Sequence, residues 1–171
     1  MLQKELEALF EDMEIRIHST LQRLPAPEGI VYACGFWLFY CDYTTLGVPC
    51  FAYNTVGNEN DTKWSPAEWV VEVEDELTEA LNPLYEQVSS LMADKDDQDW
   101  EALIEYQWNF YSKVCMSLNK SVKQGGGPLA HWNLIENFVI GIFEEREGDD
   151  MYDFLVKTSV GEKTAIELGI V

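Results

Sequence analysis

The stretch IVYACGFWLFYCDY, Ile30 to Tyr43, decides the fold. Its density of β-branched and aromatic residues favours a buried strand. The apolar run inside it, Ile30 to Cys41, is 12 residues long. That is well short of the ~20 needed to cross a bilayer. Thr44 to Gly47 then permits a reversal into VPCFAYNT, Val48 to Thr55, so the two segments read as a hairpin. Pro49 has no N–H to donate, which makes the second strand start late or lie at an edge.

On the N-terminal side, Leu2, Leu6, Leu9, Met13, Ile17, Leu21 and Leu24 recur at three- and four-residue steps. This is one stripe of an amphipathic helix over 2–24. Pro25 and Pro27 stop it. On the C-terminal side, a polar loop leads to Trp64-Ser65-Pro66-Ala67-Glu68-Trp69. Ser65 as N-cap, Pro66 in the first helical position and Glu68 closing a capping box predict a helix start. That helix is expected to run through Val70, Val73, Leu77 and Leu81, with a kink or restart at Asn82-Pro83. A second strong helix spans Trp100 to Lys123, with a stripe of Trp100, Leu103, Ile104, Trp108, Tyr111, Cys115, Leu118 and Val122. Gly125 to Pro128 ends it.

The last third returns to strand patterning. Leu134 to Arg146 and Met151 to Val160 read as a second hairpin around Gly148-Asp149-Asp150, and Glu162 to Leu168 as a short closing helix. The expected fold is therefore α+β in the order α-ββ-α-α-α-ββ-α: one domain, 1–171, with an antiparallel sheet of two hairpins and helices packed on one face.

Tests for chemistry give little. Gly125–Gly127 lacks the Lys-Ser/Thr of a phosphate-binding loop, and no Gly-x-Ser-x-Gly is present. Cys34, Cys41, Cys50 and Cys115 form no Cys-x-x-Cys pair, and the histidines are His18 and His131. Buried free thiols in a reducing compartment fit this spacing, and a Cys/His metal site does not. Asp94, Asp96, Gln98 and Glu105 match some ligand positions of an EF-hand loop, but Asp99 stands where a glycine must turn. An acidic helix start complementing the macrodipole explains them more simply. No catalytic residue, cofactor or metal is expected. The acidic N-terminus has no basic region or cleavage site, so a cytoplasmic location is expected.

Charge is the most informative feature. The net charge is −20, and residues 57–105 hold fifteen acids against two lysines. Residues 106–133 hold three lysines and no acid. Such a chain repels nucleic acid and anionic membrane and attracts basic partners. A solvated helix face would account for the same residues. A docking surface would use Glu68, Glu72, Glu74, Asp75, Glu76, Glu79, Asp94, Asp96, Asp97 and Asp99 as rim, with Trp69 and Trp100 as anchors.

The aromatic hairpin followed by Trp64-Ser65-Pro66-Ala67-Glu68-Trp69, and the later NFVIGIFEERE of Asn137 to Glu147, resemble a family of small uncharacterised bacterial proteins. Such small acidic domains resemble the immunity proteins of polymorphic toxin systems. The resemblance covers about a third of the chain, and only its Trp-Ser-Pro-x-Glu-Trp element is moderately specific. It implies an antitoxin, not an enzyme, that neutralises a cognate toxin by tight binding; a basic nuclease would suit the charge. Two other classes stay open. One is a small enzyme or ligand-binding protein built from dispersed carboxylates and aromatics, which requires a deep pocket. The other is an adaptor or scaffold, which requires a sizeable exposed apolar patch. Oligomeric state is not legible.

Overall fold

A computed structural model describes residues 2–38, 43–58, 63–66, 69, 71–72, 74–143 and 150–171. Ten elements follow in order: α1 (Leu2–Arg23), β1 (Val31–Trp37), β2 (Cys50–Thr55), β3 (Val71–Glu72), α2 (Glu74–Met92), α3 (Asp97–Lys123), β4 (Leu134–Ile142), α4 (Asp150–Val156), a π turn (Lys157–Gly161) and α5 (Glu162–Glu167). The chain is α+β, as expected. Its sheet is mixed, in the order β3-β2-β1-β4.

The first hairpin forms as predicted, with β1 antiparallel to β2 and Gly35 opposite Ala52. β2 begins at Cys50, directly after Pro49. The second hairpin does not form, and β4 instead lies parallel to β1, with Gly35 opposite Gly141. Met151 to Val160 is helical, and its buried residues show why. Tyr152, Leu155, Val156, Ser159 and Val160 fall at helical, not alternating, intervals. The expected Gly148-Asp149 turn, the strand beyond Phe143 and Cys41 lie outside the described residues.

The Ser-Pro start also differs from expectation. Pro66 opens a single turn, closed by the Trp69 N–H on the Pro66 carbonyl at 3.1 Å. The chain then becomes extended, pairing Val71 with Tyr53 and Glu72 with Ala52. A run of β-branched residues beside an unpaired strand prefers the sheet ladder to a helix. Helix α2 therefore starts at Glu74, while Glu68, Val70 and Val73 lie outside the described residues. It passes through Pro83 as one element, because that ring sits on an exposed face where the freed carbonyl can be hydrated.

Helices cover both faces of the sheet, not one. Phe10, Met13, Leu81, Tyr85, Trp100, Tyr111 and Leu118 from α1, α2 and α3 pack against Phe36, Phe51 and Ile140. On the opposite face, Tyr152, Val156, Val160 and Ala165 pack with Trp69 and Phe143 over Tyr32, Ala33 and Val139. The paired glycines make room on this second face. A Cβ on Gly35 would meet Pro66 and Phe143 at 2.7 and 2.8 Å, and one on Gly141 would meet Phe143 and Val160 at 2.7 Å.

Candidate protein-docking surface

Three helices carry the acid, and their directions decide which acids meet. The Arg16 guanidinium donates to the Ala80 carbonyl at 2.9 Å, and Thr20, Arg23, Leu24 and Pro25 line one cavity with Glu76 and Glu79. Helices α1 and α2 are thus antiparallel. Tyr85 and Tyr111 share a hydrogen bond of 2.9 Å, and Gln107 donates to Tyr85, so α2 and α3 are tied together at Tyr85. Phe10 meets Tyr106 and Phe110 edge-on, at 4.8 and 5.0 Å between centroids. Helix α1 therefore meets α3 at Phe10, through Tyr106 and Phe110.

This geometry divides the surface expected from sequence. Glu76 and Glu79 are exposed near the C-terminal end of α1, beside Arg23. Asp94, Asp96, Asp97 and Asp99 are exposed at the other end of α2, about 24 Å away at 1.5 Å per helical residue. Glu72, Glu74 and Asp75 are placed by their backbone at β3 and the start of α2, at the same end as Glu76 and Glu79. Glu68 lies outside the described residues.

Neither predicted anchor is available. Trp69 is 4 % exposed and Trp100 is 2 % exposed. Trp69 packs on Phe143 and donates its indole N–H to the Lys63 carbonyl at 3.1 Å. Trp100 belongs to the core beneath α3. Both are structural, since each fills space between a backbone and the sheet that no smaller residue would fill.

The turn between α2 and α3 has a defined role of its own. Asp96 is the N-cap of α3, and its carboxylate accepts from the Asp99 N–H at 3.0 Å. Asp97 and Asp99 occupy the first turn, and Lys120 and Lys123 the last. Each set faces the opposite partial charge of the helix dipole. The acidic tract is thus a helix start.

Folding adds to these aspartates a set from α1 that sequence order hid. Glu7 and Glu11, on the outer side of α1, are brought close to Tyr106 of α3, the residue that follows Glu105. Tyr106 is 41 % exposed. Partial burial, and then the negative charges of Glu7 and Glu11, push its phenol above the ordinary range. In the sequence, Tyr106 and Phe110 are the two aromatics of α3 that fall off the apolar stripe, and of these Tyr106 is the exposed one. Elsewhere, burial pushes up Cys34, Cys115, Tyr85 and Tyr111, all of them deep in the core.

Compared with known protein families, curated proteins and solved structures, the chain matches none. Among the described residues, no helix is long and apolar enough to cross a membrane.

Proposed function

We propose that this chain is an inhibitor of immunity type, which neutralises a basic toxin in the cytoplasm by docking it on the acidic end of the helical layer. The observation that carries the reading is Tyr106, half-exposed against Phe10 and neighboured by Glu7 and Glu11. A half-exposed aromatic packed on the core beside two carboxylates offers an anchor of the residue type that dominates interfaces. The ring contributes affinity, and the charges raise the association rate and select a cationic partner. The bulk charge of −20 extends the same preference to longer range at low salt.

The test is to inspect the gene preceding this one for a large toxin and to co-express the chain with that toxin's C-terminal domain; a housekeeping operon there would count against the reading. Growth should be restored, and Tyr106→Ala should weaken the complex by about tenfold or more, as loss of an anchor does. Failure of the unaltered chain to restore growth, or to bind the purified toxin domain, would sink the reading.

A further inference from the structure

Helix α1 carries two sides with different chemistry. Its inner side holds Phe10, Met13, Ile17 and Leu21 in the core. Its outer side lines an open groove of about 860 Å³, bounded by Glu11, Glu14, Ile15, His18 and, across from them, Gly127 and Pro128. That volume is near the upper end of small-ligand sites, which run from about 300 to 1,000 Å³. The groove's openness suits a chain segment laid along it better than an enclosed molecule.

Three features of the lining point to one kind of occupant. Ile15 is 66 % exposed, an apolar surface that water covers at a cost. Glu11 and Glu14 bring two exposed carboxylates to the same groove, and among the described residues no lysine or arginine lines it. His18 adds an unmet polar group, since its Nε2 is enclosed and has no hydrogen-bond partner among the described residues. A side chain with an apolar stem and a cationic head meets all three. The stem lies on Ile15 and Pro128, the head sits between the carboxylates, and its N–H serves the imidazole once the ring turns outward.

We infer that this groove seats an extended segment of a partner protein that lays lysine or arginine side chains along it. The inference rests on the docking reading above, and Glu11 joins the two surfaces. It adds that the partner inserts a segment along α1, beyond contact with Tyr106 alone.

An acetylated hexapeptide alternating lysine and leucine is the probe, followed by amide chemical shifts of the whole protein. Saturable shifts confined to Glu11–Gln22 and Gly127 are expected, with none from a peptide carrying glutamate for lysine. The double variant Glu11→Gln/Glu14→Gln should weaken binding by about tenfold. No binding, or shifts spread equally over Asp94–Asp99 and unchanged in the double variant, would overturn the groove as a site. Ile15→Arg, at an exposed position that leaves the core intact, separates this inference from the docking reading. Loss of growth rescue in that variant, with circular dichroism unchanged, supports the groove. Rescue kept by Ile15→Arg but lost by Tyr106→Ala overturns the groove and leaves the docking surface standing.

Discussion

The side-chain amide of Asn119 makes both hydrogen bonds to the main chain of Ile140. Its Nδ2 donates to the Ile140 carbonyl at 2.7 Å, and its Oδ1 accepts from the Ile140 N–H at 2.8 Å. Two residues on, the Ile142 N–H donates to the Ser159 hydroxyl at 2.9 Å. Side chains of α3 and the π turn thus stand in for a fifth strand along the outer edge of β4. An edge that would otherwise offer unpaired backbone groups to another chain is sealed.

Replacing Asn119 by Leu should therefore leave a buried N–H and a buried C=O unmet. Each such group costs roughly 1–3 kcal/mol, so a loss on the order of 3 kcal/mol is expected. Urea unfolding measures it, with concentration-dependent light scattering reporting the opened edge. A midpoint equal to that of the unaltered chain would contradict the edge-sealing role.

Gly141→Ala should destabilise by about 1–3 kcal/mol through overpacking, because the new methyl would strike Phe143 and Val160 rather than a flexible side-chain end. Thermal unfolding would show a lower midpoint. Gly35→Ala should act in the same direction, and the two should not add, because both press on Phe143.

Tyr85 bridges Tyr111 and Gln107 inside the core. Tyr85→Phe strands both partners, whereas Tyr111→Phe leaves the bond between Gln107 and Tyr85 in place. The first variant should lose more stability than the second, by about 1 kcal/mol. Equal losses would mean that the three groups do not act as a chain.

Alkaline pH should unfold the protein in a defined window. Burial holds the Cys34 and Cys115 thiols and the Tyr85 and Tyr111 phenols neutral, above their ordinary values of 9.0 and 10.0. Above those values the unfolded chain has released protons that the native state still holds. Stability is then fully present below about pH 9 and falls as pH rises, by roughly 1.4 kcal/mol per pH unit for each group. Urea midpoints at pH 8, 9.5 and 10.5 check the slope, which Tyr111→Phe should flatten above pH 10.

Asp96→Ala should cost about 1 kcal/mol, the loss of an N-cap. Calcium and its chelators should leave the melting temperature unchanged, because the Asp96 carboxylate is committed to the Asp99 N–H. A rise in melting temperature on adding calcium would contradict this assignment.

Legibility in the sequence followed the range of each interaction. The stripe from Leu6 to Leu21, the breaks at Pro25 and Gly125, and the first hairpin are set by neighbours within a few residues, and the sequence reading placed them. The Ser65–Glu68 start was misread because local capping competes there with a strand partner some twenty residues away. Met151 to Val160 was misread for another reason. Its helical stripe of Tyr152, Leu155, Val156 and Val160 is blurred by Phe154, an apolar residue that stands exposed and gives the segment a strand-like density. The acidic surface was half legible: Asp94–Asp99 stood out in a charge count, but Glu7, Glu11 and Tyr106 come together only when α1 lies beside α3.

The parallel register that sets Gly35 against Gly141 also has a kinetic side. The two strands are separated by about a hundred residues, and closing so long a loop places the structure among slow, high-contact-order folders. The β1–β2 hairpin and the Tyr85–Tyr111 link between α2 and α3 can form from nearer contacts. β4 must wait for nearly the whole chain. During synthesis, β1 therefore spends its time with one hydrogen-bonding edge open. A nascent chain stalled before Leu134 should be the form of this protein that chaperones bind.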